Sequence, residues 1–318
     1  MRYLKKNGLT LSQVGLGTGR FGTVVSEGLS FKMLDQFVRG GGTVIDTARN
    51  YYEWVENGRG ISEKTIGKWL NARHSRDKIV ICTKGGVRNE GKAFIANLSR
   101  QVLLQESAES MEALGTDHID IYLLHRDETE RPVEEIVDTL QSVREQTRAK
   151  AIGVCNWSVA RVKAANEYAE GNGVPKLDIV QTYWSIAAFT EAMWNDPTTG
   201  HMDCALYEYL LSHNMLAMAF TSQAKGFFQK AFYEGKDNLP AKLLERVACA
   251  ENEQRLADIS AYCHSHNISP TAVVNAYITQ NALPAIALVS CSSEEQLQDI
   301  LDHCDETIEQ SWLARFSL

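Results

Sequence analysis

The chain has 318 residues, 44% of them hydrophobic, with 40 acidic against 32 basic side chains and a formal net charge of −8. That composition supports a large core, and its acidic balance argues against nucleic acid as a partner. The seven cysteines form no C-x-x-C pair and several lie in apolar runs ("IVICTK", "IGVCNW"), so reduced core thiols are expected, with neither a disulfide framework nor a metal site. No signal-type apolar segment opens the chain and no stretch is long enough to span a bilayer, so a cytoplasmic protein with no membrane partner is expected.

The opening "MRYLKKNGLTLS" places Asn7-Gly8 between two short extended pieces, which reads as a β-hairpin. A unit then recurs: a short apolar run, followed by a longer stretch of helical periodicity. "QVGLGT" leads to "SFKMLDQFVRGG", "TVIDTA" to "SEKTIGKWLNAR", and "KIVICTKGG" to "SRQVLLQESAESMEALG". "HIDIYLLHR" leads to "PVEEIVDTLQSVREQTR", "AIGVCNW" to "SVARVKAANEYAEG", and "DIVQTYW" to "CALYEYLLSHN". "LAMAFTS" leads, after a longer insertion, to "NEQRLADISAYCHSHN", and "AIALVSC" to "SSEEQLQDILDHC". Helix starts are signalled at Ser62-Glu63, at Pro132, and at Ser292-Ser293. "ISPTAVVNAYITQNALP" reads as an extra helix before the last strand.

Alternating strands and helices require a parallel sheet with helical crossovers, and eight units predict closure. The expected fold is α/β: a (β/α)8 TIM barrel with an N-terminal β-hairpin plugging its bottom, in one domain over 1–318. "GLGTGRFG" contains a formal G-x-G-x-x-G at Gly17, Gly19 and Gly22, but no helix pattern opens on it, and the next helix is expected near Ser30. A dinucleotide-binding Rossmann unit is therefore not expected there.

Chemistry in such a barrel sits at the C-terminal ends of the strands. Strand two ends in Asp46, with Tyr51 five residues on; strands three, four and five end in Lys84, His125 and Asn156, and strand six carries Gln181. Taken singly, each has a plain alternative as a turn cap or a structural polar group. Together, they bring an acid, a phenol, an amine and an imidazole to one rim. Lys84 beside Asp46 makes a natural buried pair. A tyrosine beside that ammonium is expected to have its pKa drawn down, which suits a general acid. His125 can add a second hydrogen bond to the same substrate oxygen.

The segments "GLGTGRFG", "VIDTARNYY", "GISEKTIGKWL", "IVICTKGG", "ALGTDHIDIYLLHR", "AIGVCNWS", "IVQTYWS" and "SSEEQLQDIL" resemble, in order and over nearly the whole chain, the aldo-keto reductases. The resemblance implies an NAD(P)H-dependent reductase acting on a small-molecule carbonyl substrate. It implies Tyr51 as proton donor, Lys84 held by Asp46 to tune it, and His125 orienting the carbonyl. It places Asn156 and Gln181 at the nicotinamide carboxamide, Phe220 on the nicotinamide ring, and the backbone of Thr18 and Gly19 nearby. Thr221, Ser222 and Gln223 would serve the cofactor from the seventh loop, and Ser290, Cys291, Ser292 and Gln296 from the eighth. Trp54 and Arg126 are candidates for the substrate wall, and Arg126-Asp127 favours a polar, sugar-like substrate.

The chain departs from the family at three places. Cys155-Asn156 stands where Ser-Asn is common, and "TSQAKG" where "SPLxxG" is common. The last loop, "VSCSSEEQLQD", has no Lys or Arg to grip a 2′-phosphate, with Glu294 and Glu295 close by. The resemblance implies NADP(H), with NAD(H) as the alternative. Two other readings stand beside the reductase: a Schiff-base aldolase using Lys84, and a non-catalytic cofactor-binding subunit of the kind found in voltage-gated potassium channels. The sequence leaves monomer and homo-oligomer equally open.

Overall fold

The structure, a computed structural model, describes every residue except 91, 92, 195 and 317, with the backbone alone at 89, 90 and 93. The chain opens with β1 (Tyr3–Lys6) paired antiparallel with β2 (Leu9–Ser12). Asn7 and Gly8 turn between them at φ 48° and 77°, the left-handed pair that a two-residue hairpin turn demands. Leu9 and Leu11 are buried with Val44, Val80, Ile121 and Leu216, so the hairpin closes the floor of the barrel.

Strand β3 (Val14–Gly17) is followed by α1 (Glu27–Arg39), and β4 (Val44–Asp46) by α2 (Ile61–Arg73). Strand β5 (Val80–Gly85) leads first into a second hairpin, β6 (Val87–Glu90) against β7 (Ala93–Ala96), and then into α3 (Arg100–Leu114). Next come β8 (Ile121–Leu124) with α4 (Val133–Thr147), and β9 (Ala151–Cys155) with α5 (Val159–Gly171). Strand β10 (Ile179–Tyr183) precedes α6 (Cys204–Ser212). Between β11 (Leu216–Phe220) and β12 (Ala285–Val289) lie α7 (Phe227–Glu234), α8 (Ala241–Val247), α9 (Ala250–His266) and α10 (Pro270–Thr279). The chain ends in α11 (Glu294–His303) and α12 (Gln310–Leu313).

Eight parallel strands close in the order β10-β11-β12-β3-β4-β5-β8-β9. Their residues are buried on both faces, which explains the continuous apolar runs in the sequence. The helices ring the barrel, and Gly67 on α2 lets α3 pack close: a Cβ there would lie 2.4 Å from the Ala113 carbonyl oxygen. The tail packs on α9, with the Trp312 ring 4.1 Å from that of Tyr262 and Phe316 buried. Among the described residues, no helix is long and apolar enough to cross a membrane.

Local details correct three expectations. Helix α1 starts at Glu27, where the Ser26 side chain accepts from the Leu29 N–H, rather than near Ser30. Helix α2 starts after Gly60 in a left-handed conformation, and Ser62 does not cap it: its hydroxyl bonds Thr18 and Thr47 instead. The β6–β7 hairpin was not anticipated; its signal was a glycine between two short runs, "VRNE" and "AFIA". The "GLGTGRFG" glycines open no helix, as expected.

Candidate active site

Parallel register sets Asp46 at the end of β4 opposite Cys82 on β5, two residues before Lys84. Lys84 is fully buried, and its Nζ donates to Asp46 Oδ2 at 2.7 Å, to the Thr47 carbonyl at 2.7 Å and to Tyr51 Oη at 3.1 Å. The loop that carries Tyr51 follows the end of β5: the Thr47 N–H donates to the Cys82 carbonyl, and the Arg49 N–H to the Lys84 carbonyl. Gln181 Nε2, reaching from β10, donates to the other Asp46 oxygen at 2.9 Å. The His125 ring stands edge-on to Tyr51, with centroids 5.7 Å apart, and its Nδ1 is buried with no hydrogen-bond partner among the described residues. Three side chains from three strand ends, those of Asp46, Lys84 and His125, therefore meet at one phenol.

The electrostatics differ from the sequence expectation at Tyr51. Burial pushes the phenol above its ordinary value, and the opposing pull of Lys84 does not overcome it. The group is thus held protonated at neutral pH. Burial alone would lower Lys84, but Asp46 and Tyr51 reverse this, so the ammonium is held above its usual range. Burial, with Lys84 and Arg126 adding to it, holds His125 well below the usual imidazole value, so the ring is neutral. Cys155 fills the position beside this pair as a buried thiol, pushed up to about 12 by burial.

Tyr52 lies outside the cluster. Its backbone has φ 59°, and its ring packs on Trp54 at 4.8 Å. Trp54 is 56% exposed. Trp194 lies edge-on to Phe220 at 5.7 Å, and Lys225 Nζ sits 4.3 Å from the centre of the Trp194 ring. Burial lowers Lys225 to about 8.

Other candidates are used differently from expectation. Arg126 is buried and tied to Asp196 at 3.1 Å, to Thr198 and to the His125 carbonyl, and Asp127 is gripped by Arg161, so neither offers a free charge to a substrate. The Asn156 amide donates to the His125 carbonyl at 3.2 Å and accepts from the Gly200 N–H at 3.1 Å. The Thr18 N–H and hydroxyl are both spent on the Asp46 carbonyl. Ser222 donates to the Leu288 carbonyl, and Cys291 is buried in the core, which withdraws both side chains from a ligand. Thr221 has φ 54°, next to Gln223 in a turn where Ala224 and Lys225 are also left-handed. Gly19 stays close to the phenol: a Cβ there would lie 3.6 Å from the Tyr51 ring.

The last loop gains a charge that its own sequence lacks. Arg20, from the loop after β3, donates through Nη1 to Ser292 Oγ at 3.0 Å, just ahead of α11. Ser290 Oγ donates to the Gly17 carbonyl at 3.3 Å, tying the two loops together. Gln296 accepts from the Ser292 N–H at 2.8 Å. Among the described residues, Arg20 makes no ion pair, so its guanidinium keeps donors to spare. Among the described residues, an arginine with no ion pair at the start of a helix fits a phosphate-bearing cofactor.

The closed eight-stranded parallel barrel thus carries an Asp–Lys–Tyr–His cluster at the C-terminal ends of its strands. The profile of the Aldo/keto reductase family matches residues 13–317, and the chain belongs to that family. It is an NAD(P)H-dependent oxidoreductase of the aldo-keto reductase type. It is 27% identical to Aldo-keto reductase ausK of Emericella nidulans, over 93% of this chain and 75% of that protein. It is 25% identical to the uncharacterized oxidoreductase YrpG of Bacillus subtilis, over 98% of this chain and 93% of that one. Norsolorinic acid reductase of Aspergillus flavus is 31% identical, but over only 57% of this chain and 48% of its own length.

Proposed function

We propose that this enzyme reduces an aldehyde or ketone to an alcohol with Tyr51 as the proton donor. The observation that carries the reading is the 3.1 Å contact between the Lys84 ammonium and the Tyr51 hydroxyl, with Lys84 locked on Asp46. A bound dinucleotide would supply hydride to the carbonyl carbon. Tyr51 Oη donates its proton to the carbonyl oxygen, and the phenolate left behind is stabilised by Lys84. Neutral His125 offers a ring N–H to the same oxygen and so orients it. Phe220, framed by Tyr183 and Trp194, gives an aromatic surface for the nicotinamide. Asn156 directly follows β9 and Gln181 lies in the middle of neighbouring β10, with Gln181 Oε1, which has no partner among the described residues, available to accept from the carboxamide.

The cofactor reading is NADP(H). Arg20 supports it, since a guanidinium at the start of α11 supplies what the "VSCSSEEQLQD" loop lacks, and helix N–H groups add to it. For the substrate, exposed Trp54 and Trp194 with sequestered Arg126 and Asp127 support an apolar carbonyl compound over a sugar-like one. A Schiff-base role for Lys84 is disfavoured by Asp46, which keeps the amine protonated. The test is to titrate with NADPH and NADH separately and follow nicotinamide absorbance with a panel of aldehydes. Turnover supports the reductase. Tight cofactor binding without turnover would favour the regulatory-subunit reading instead.

A further inference from the structure

We propose that Glu106, on α3 and outside the catalytic cluster, is the positioning residue that sets the distance between Tyr51 and Lys84. This rests on the assignment of Tyr51 as proton donor. Glu106 is 1% exposed, a costly place for a carboxylate unless both oxygens are paired. They are, and to two different pieces of the site. Oε2 accepts from the Gly86 N–H at 2.7 Å, and Oε1 from Arg59 Nη2 at 2.7 Å.

Gly86 is two residues beyond Lys84 and has φ 82°, which turns the chain where β5 ends. The backbone there is pressed so close to its neighbours that a Cβ on Gly85 would lie 2.2 Å from Tyr122 Oη and 3.0 Å from Glu106 Oε2. Glu106 therefore fixes the strand end that presents the ammonium. Arg59 closes the other side. It lies on the loop after β4 and also pairs with Glu53, two residues past Tyr51. One buried carboxylate thus holds the strand end bearing Lys84 and, through a single guanidinium, the loop bearing Tyr51. Arg88 on β6 stands 3.6 Å from the same carboxylate and neutralises the surplus charge. Glu106 makes no hydrogen bond to Tyr51 or Lys84, so it acts on their geometry alone.

The test compares Glu106→Ala, Glu106→Gln, Arg59→Ala and Tyr51→Phe in the full-length protein. The substrate is whichever of benzaldehyde, hexanal and glyceraldehyde the wild type reduces fastest. A shift of about 1 Å between reacting groups costs on the order of 100-fold, so Glu106→Ala and Arg59→Ala should each lower kcat by about 30- to 100-fold. Their KM and cofactor Kd should stay within about threefold, because neither residue faces the ligands. Glu106→Gln keeps an acceptor for Gly86 and should lose less. The alkaline limb of the kcat–pH profile should also move up, because Tyr51 sits among Lys84, Asp46 and His125 and would feel less of Lys84. A purely structural defect would lower Tm without moving that limb.

Full kcat in Glu106→Ala or Arg59→Ala, or a lost kcat with an unmoved pH profile, overturns the inference. If Glu106→Ala does not fold, Arg59→Ala decides by the same criteria. The two levels separate cleanly. An active Tyr51→Phe overturns the proton-donor reading itself, whereas a dead Tyr51→Phe beside a fully active Glu106→Ala overturns only the positioning role. A wild type that reduces none of the aldehydes overturns both.

Discussion

Replacing Asp46 with asparagine tests the buried pair at the centre of the site. Lys84 is 0% and Asp46 2% exposed, so removing the carboxylate leaves an ammonium in the barrel interior with only the Thr47 carbonyl, the Tyr51 hydroxyl and a neutral amide around it. Breaking one half of a buried pair costs about 3–5 kcal/mol, which at roughly 2 °C per kcal/mol for a large domain is a Tm lower by about 6–10 °C. The measurement is thermal unfolding followed by circular dichroism, with Asp46→Asn and the double variant Asp46→Asn/Lys84→Met side by side. The double variant removes both charges and should recover most of the loss. The sign with pH is also determined. The folded pKa of Lys84 is raised, so its stabilisation is fully present below the unfolded value near 10.4 and fades only at higher pH. The wild-type Tm should therefore show no loss traceable to Lys84 between about pH 6 and 9, while burial alone lowers the unpaired Lys84 of Asp46→Asn, so the gap should widen as pH falls from about 10. A loss below about 1 kcal/mol, or a double variant worse than the single, would refute the account.

Three further outcomes are expected. Tyr51→Phe should lose carbonyl reduction by at least about 100-fold with cofactor binding intact, while Tyr52→Phe, whose ring packs on Trp54, should keep it; initial rates and fluorescence titration check both. Arg20→Ala should weaken NADPH binding by about tenfold and leave NADH unchanged, as measured by quenching of tryptophan fluorescence; equal weakening of both would mean that Arg20 serves a part common to the two cofactors. His125 has a depressed folded pKa, so the unfolded chain takes up its proton first and stability falls as pH drops below about 6.5; His125→Gln should remove that share of the acid sensitivity in melts between about pH 6.5 and 4.5.

Much of the fold was legible because a closed parallel sheet leaves a local trace. Strands buried on both faces read as unbroken apolar runs, and amphipathic helices between them keep their own period. The same regularity made the strand ends findable, so Asp46, Lys84 and His125 could be named from their position in each unit. What the sequence held only weakly was anything set by contact between distant segments. The different placing of two adjacent tyrosines is one example: Tyr52, in a left-handed conformation, packs its ring on Trp54, while Tyr51 stands against Lys84. Arg126 and Asp127 looked free in the sequence and are consumed by Asp196 and Arg161 in the fold. The pKa of Tyr51 went the other way from expectation because burial, which no string of letters reports, outweighs a neighbouring charge.

By itself, then, the sequence determined the architecture and the strand-end groups Asp46, Lys84 and His125, because both follow from short-range periodicity. The tertiary structure alone decided which groups pair. Arg20 and Ser292 are separated by almost the whole chain, yet barrel closure makes β3 and β12 neighbours and brings them to 3.0 Å. Glu106 is one of several acids on α3, and only the fold closes the end of β5 and the loop after β4 on it. Hydrophobic pattern specifies what is buried; only packing specifies what each buried charge must face.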